Sequence, residues 1–191
     1  IFEKENADIV YNLAVIPLPA SLEQPLWSTI ENVKIANNVC ELLRKGLFKK
    51  LIHFSSSEAY GTARKVPMDE EHPLKPETPY AAGKAAGDLI VDSYFRTFKL
   101  PTAILRPFNN FGPYQSEKAI IPEIITNCLL GKEVKSTEGN QTREFNYVSN
   151  IIDGFILAAE KENIIGEIIN LGSGQDISIK DLVAMIHKLT N

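Results

Sequence analysis

A phenol and an ammonium stand four residues apart in Tyr80-Ala81-Ala82-Gly83-Lys84. In a helix that spacing puts both side chains on one face. A free tyrosine, with a pKa of about 10, is a poor base at neutral pH, but a neighbouring ammonium favours the phenolate and lowers that value, so the pair makes a usable acid/base. The same spacing also describes a plain helix start with an aromatic and a solvated lysine. A second cluster, Ser55-Ser56-Ser57-Glu58, follows the apolar run Leu51-Ile52-His53-Phe54. Hydroxyls and a carboxylate at a strand end occupy the place where α/β folds put reacting groups, although such a run can also be a polar turn.

The elements that would position these groups follow from periodicity. Short apolar runs of strand type at residues 9–14, 50–55, 102–106 and 167–171 alternate with segments of helical period, the pattern of a parallel sheet covered by helices. Helices are predicted over residues 26–45, stopped by Gly46, and from Pro79 to about residue 98, capped by Thr78. Three more are predicted over residues 121–130, ending at Gly131, 151–160, capped by Ser149, and 179–189, capped by Ser178. Between Phe108 and Val148 the alternation weakens and Pro, Gly and Asn rise, as where a substrate lobe is grafted after strand ends. The expectation is an α/β, doubly wound parallel sheet in residues 1–107, with a smaller substrate-binding lobe in 108–191 from which the strand at 167–171 returns to the main sheet.

Bulk properties narrow the function. The chain has 191 residues, 44% hydrophobic and 23% charged, enough for a sizeable core. Its net charge of -4 comes from 20 basic and 24 acidic residues without a long like-charge run, which argues against nucleic acid as partner. Cys40 and Cys128 are far apart in apolar helical runs and read as buried, reduced thiols. His53, His72 and His187 are scattered, with no cysteine at ligand spacing, so no metal site is expected. No apolar stretch reaches the roughly 18 residues of a membrane span, and residues 1–8 are too polar for a signal peptide. A cytoplasmic protein is therefore expected.

Four segments in order resemble the extended short-chain dehydrogenase/reductases that act on nucleotide sugars, the NAD-dependent epimerase/dehydratase family. They are Asn12-Leu13-Ala14; the serine strand with the Tyr80/Lys84 helix; Leu105-Arg106-Pro107-Phe108-Asn109-Asn110-Phe111-Gly112-Pro113; and Gln141-Thr142-Arg143-Glu144-Phe145-Asn146-Tyr147-Val148. The resemblance implies a Rossmann-like fold and NAD as cofactor, with Leu13, Ala14, Ser55, Tyr80, Lys84, Pro107 and Asn110 on the cofactor side. It implies that Ser56 bonds the sugar O4 and that Tyr80 takes the O4 proton. Lys84 would hold the nicotinamide ribose and tune Tyr80. Asn109 and Lys118 would face the substrate, and Arg143 would grip its diphosphate, since a guanidinium fork binds two phosphate oxygens at once. The asparagines could instead shape a turn, Lys118 could be solvated, and Arg143 could pair with Glu144.

Glu58 after the serines resembles the 4,6-dehydratases and UDP-glucuronate decarboxylases more than the C4 epimerases, which generally lack it. Ser57 stands where dTDP-glucose dehydratases have an aspartic acid that protonates the departing O6, so the sugar and base stay open. The reading is NAD-dependent modification through a 4-keto sugar, with 4,6-dehydration first, decarboxylation second and epimerisation third. No Gly-x-Gly-x-x-Gly turn occurs, and Gly172-Ser173-Gly174 has Ile177 at the third position. The family's pyrophosphate turn would precede residue 1, and the chain reads as trimmed at both ends. A sugar-nucleotide-binding module without cofactor chemistry is the rival from another class. The resemblance also implies a homodimer paired through the helix before the serine strand and the helix bearing Tyr80. Gly83 and Gly87 inside that helix each cost roughly 1 kcal/mol against alanine, which close approach of cofactor or of another backbone, or helix packing, would explain.

Overall fold

In the computed structural model, residues 6–134 and 139–190 are described; residues 1–5 of the polar opening lie outside them. The chain divides into two compact units, Ile1–Phe108 with Ile152–Leu171, and Asn109–Ile151 with Gly172–Asn191.

The first unit is built on a parallel sheet of strands β1 (Ile9–Asn12), β2 (Lys50–Phe54), β3 (Thr102–Pro107) and, last in chain order, β6 (Ile168–Leu171). They lie side by side in the order β1, β2, β3, β6. The register pairs Asn12 with His53, His53 with Ile104 and Arg106 with Asn170. All six residues of β3 are buried, as a central parallel strand covered on both faces requires. Helix α1 (Leu18–Glu23) precedes α2 (Pro25–Arg44), which ends where Gly46 takes a φ of 73°. Gly46 N donates to Leu43 O and Leu47 N to Leu42 O, which satisfies the last carbonyls of α2.

Helix α3 (Pro79–Phe98) starts as its sequence directs. Pro79 opens the first turn and the Thr78 hydroxyl accepts from Ala81 N at 3.1 Å. Cys40 and Leu43 of α2, Leu51 of β2, Val91 of α3 and Ile104 of β3 join Phe48 in one core. Fully burying each large aliphatic side chain contributes roughly 1.5–3 kcal/mol. Both helical glycines serve helix packing. A Cβ on Gly83 would stand 3.0 Å from that of Asn32, and one on Gly87 would stand 3.3 Å from His53 Nε2 and 3.5 Å from Ala36 Cβ.

The second unit carries β4 (Asn109–Phe111), β5 (Thr142–Tyr147) and β7 (Asp176–Ser178), with β5 parallel to β4 and antiparallel to β7. Helices α4 (Ile120–Leu129) and α6 (Ile179–Thr190) close its core through Ile121, Ile124, Ile179, Leu182 and Ile186. Ser178 caps α6, its hydroxyl accepting from Asp181 N at 3.0 Å. Helix α5 (Val148–Glu160) begins before Ser149, so that serine lies inside the helix and is not its cap. α1 and the three strands of the second unit were not legible as elements. Two of those strands have three residues and two carry polar, exposed residues, so local apolar period does not mark them. Cys40 is buried, whereas Cys128 is only partly so.

Candidate functional site

The carboxyl end of β2 runs into a 3-10 turn, Ser57–Tyr60, and there the sequence clusters meet. Ser56, extended at φ -160°, accepts from Glu58 N at 3.2 Å. Its hydroxyl acts on the phenol of Tyr80, in the first turn of α3, in the direction that favours the phenolate. Glu58 is exposed, yet its carboxylate reaches Tyr80 electrostatically. Ser56, Glu58 and Tyr80 therefore share one place although 24 residues of chain separate the ends of that set (80 − 56). Ser57 is half-buried beside them.

Lys84, one turn further along α3, is buried at 5% exposure and is turned towards the sheet. Its Nζ donates to the Phe54 carbonyl at 2.6 Å and lies 5.7 Å from the Phe54 ring centroid. Burial pulls its pKa down to about 8, against the opposing pull of Asp88. This corrects one expectation from spacing. Tyr80 is pushed above its ordinary value, first by burial; the Ser56 hydrogen bond opposes that and Glu58 adds to it. Desolvation of the phenolate dominates, while the ammonium donates to the strand carbonyl.

The remaining first-unit candidates lie at the carboxyl ends of the parallel strands. Ser55 is fully buried, its N donating to Leu105 O and its hydroxyl without a hydrogen-bond partner among the described residues. Pro107 is buried at the end of β3. Leu13 and Ala14 are exposed after β1. Their loop is anchored by Asn32, whose side chain accepts from Ile16 N at 2.7 Å and donates to Ile16 O at 3.1 Å.

The second unit contains the other candidates. Asn109 and Arg143 line an open pocket of about 160 Å³ with Ile120, Gln141, Phe145 and Ile179. Asn109 Nδ2 donates to Glu144 O at 3.1 Å. Arg143 is exposed and its Nη1 donates to Thr142 O. Glu144 Oε1 accepts instead from Ser173 N and, at 3.1 Å, from Gly174 N, so the carboxylate is seated in the Gly172-Ser173-Gly174 turn. Asn110 Oδ1 is buried with no hydrogen-bond partner among the described residues. Lys118 is exposed ahead of α4 and does not line the pocket.

Sequence reasoning missed a buried polar chain beneath β2 and β3. Asn12 Nδ2 lies 3.0 Å from His53 Nδ1, and His53 Nε2 lies 3.9 Å from Asp88 Oδ1. Arg106 Nε donates to Asp88 Oδ2 at 2.8 Å and Arg106 Nη1 to Tyr60 Oη at 2.8 Å; Tyr60 donates to Asn170 Oδ1 at 2.8 Å. The signal available was Asp88 four residues beyond Lys84, on the same helix face. Among the described residues no group of His, Cys, Asp and Glu could hold a metal ion, and no helix is long and apolar enough to cross a membrane.

A parallel sheet flanked by helices, with a helix start facing a strand end, defines a Rossmann-like protein. The chain belongs to the NAD dependent epimerase/dehydratase family, whose profile matches residues 1–172. It is 33% identical over 200 residues to dTDP-D-glucose 4,6-dehydratase of Dictyostelium discoideum, covering 97% of this chain and 46% of that protein. A dTDP-glucose 4,6-dehydratase of Streptomyces venezuelae, solved with NAD bound, superposes with a TM-score of 0.89 at 28% identity, over 98% of this chain and 59% of its own. UDP-N-acetylglucosamine 4-epimerase of Methanobrevibacter ruminantium superposes with a TM-score of 0.90 at 33% identity, over 98% of this chain and 63% of its own. The chain thus spans about half to under two thirds of the length of these relatives.

Proposed function

We propose that the protein modifies a nucleotide sugar through a 4-keto intermediate with NAD as cofactor, and that the reaction is 4,6-dehydration. What carries the reading is the cluster of Ser56, Glu58 and Tyr80 with Lys84 one turn away. The residues fit the cofactor's ribose: a lysine ammonium has three donors, Lys84 gives one of them to Phe54 O, and two donors suit a pair of adjacent hydroxyls. NAD, when bound, supplies the hydride acceptor for C4 and the hydride donor that completes the reaction.

This chain's residues supply position and proton transfer. Ser56 holds the sugar O4 and Tyr80 takes its proton. The Ser56 hydroxyl favours the phenolate that this step needs. Once C4 is a ketone the C5 proton is acidic, and Glu58, exposed beside Tyr80, removes it as the O6 hydroxyl departs. Ser57 is a weak acid for that departure. Its identity favours a second reading in which the same ketone assists decarboxylation of a UDP-glucuronate-type substrate, with C4 epimerisation third. In the second unit, the Arg143 fork and the amides of Asn109 and Gln141 beside Phe145 suit the phosphate and base of a nucleotide. Exposed Leu26, Trp27 and Ile30 of α2 and Leu89 of α3 support pairing of two copies. The buried thiol of Cys40 suits a cytoplasmic setting.

The test is Tyr80→Phe in the intact protein, with products identified by mass from hexose nucleotides and from UDP-glucuronate. Turnover should fall at least about 100-fold while sugar-nucleotide binding persists. Undiminished turnover refutes the assignment, and the mass of the wild-type product separates dehydration, decarboxylation and epimerisation.

A further inference from the structure

Lys84 is buried where desolvation disfavours its charge, and Asp88 is the ionisable neighbour that opposes this. On its own helix Asp88 lies one turn beyond it, 1% exposed. From β2 it faces His53, whose ring burial keeps neutral. From β3, Arg106 binds Asp88 Oδ2 at 2.8 Å. From the 3-10 turn, Tyr60 meets Arg106, and Glu58 meets Tyr80. From α2 the side chains packed at this level are Asn32 and Ala36, which carry no charge. Asp88 is thus the one carboxylate set among Lys84, Arg106 and His53, and its second oxygen has no hydrogen-bond partner among the described residues.

We propose that Asp88 is a positioning residue for the Tyr80/Lys84 pair: locked to Arg106, it is the buried counter-charge that keeps Lys84 an ammonium donating to the Phe54 carbonyl. The carboxylate acts through Lys84 and touches neither substrate nor cofactor. Arg106 has two tasks in this arrangement. It opposes the upward pull of burial on the Asp88 carboxyl, and through Tyr60 and Asn170 it ties the carboxylate to the strand edge. Opposite charges within about 4–6 Å move a titration by roughly one to three pH units, and residues one turn apart on a helix have Cβ atoms about 5–6 Å apart.

The inference rests on the role of Lys84 proposed above, but its test needs no turnover. The Lys84 Nζ signal is followed by NMR against pH in the intact protein, assigned by its loss in Lys84→Met. In Asp88→Asn its midpoint should drop by about one pH unit or more, and the alkaline limb of the pH–rate profile should move with it. Asp88→Asn leaves a buried guanidinium unpaired, so Asp88→Asn/Arg106→Gln, which removes both charges, is titrated alongside and should show a drop in the same direction, smaller because the Arg106 cation is lost as well. An unmoved midpoint in folded Asp88→Asn, or a midpoint that rises in the double variant, overturns the proposal. The wild-type Asp88 carboxyl carbon gives a reading that needs no variant: it should report an ionised group at pH 7, and a protonated one also overturns it. Full activity of Tyr80→Phe would instead refute the proposed function and leave the Lys84 titration standing.

Discussion

The ring of His53 is buried at 4% exposure, and burial, aided by the Lys84 cation, pushes its pKa down to about 3. With Nδ1 accepting from Asn12, the neutral ring carries its proton on Nε2, 3.9 Å from Asp88 Oδ1 and too far for a hydrogen bond. Protonation would put a further cation beside Lys84 and Arg106. The unfolded chain has no such constraint and takes up a proton near the ordinary value of 6.5. Below that pH the unfolded state binds more protons than the folded state, so stability is fully present above about pH 6.5 and is lost as pH falls towards 3. The slope is about 1.4 kcal/mol per pH unit. Between pH 7 and pH 5 the loss comes to about 2 kcal/mol, since the unfolded histidine is largely neutral at the upper limit and charged at the lower. Carboxylates titrate in the same direction or, as with Asp88 whose pKa burial raises, in the opposite one, so the quantity to measure is a difference. Urea denaturation of wild type and His53→Gln at both pH values should show the wild type losing about 2 kcal/mol more than the variant. Parallel losses would mean that His53 is protonated in the folded state at pH 5, and the account of a neutral ring beside Lys84 would fail.

Two further outcomes are expected. Lys50→Met should cost roughly 3 kcal/mol in urea denaturation, because the buried Nζ donates to Ala158 O, Ala159 O and Lys161 O at the end of α5 and its loss strands those carbonyls. Arg143→Ala should weaken calorimetric binding of a nucleoside diphosphate roughly 10- to 100-fold, as expected for a charged hydrogen bond. Its unfolding free energy should change by less than about 0.5 kcal/mol, since the side chain is exposed.

Much of the fold was legible because it is locally determined. The strand at Lys50–Phe54 and the helix Pro79–Phe98 announce themselves through apolar period and the Thr78-Pro79 start, and a four-residue spacing fixes Tyr80 and Lys84 to one helix face whatever packs against it. The serine-glutamate strand end was equally readable as a cluster of chemical groups. The strands Asn109–Phe111, Thr142–Tyr147 and Asp176–Ser178 were not, because each exists only through its pairing with segments distant in sequence.

What the sequence by itself determined is therefore which chemical groups stand near one another along an element. Tertiary structure alone decided their charge states. It buried Tyr80 enough to raise its pKa, turned Lys84 to a strand carbonyl 30 residues away, and joined Asp88 to Arg106 across 18 residues and Tyr60 to Asn170 across 110. Desolvation and ion pairing depend on everything that surrounds a group in space, and no spacing along a chain encodes that surrounding.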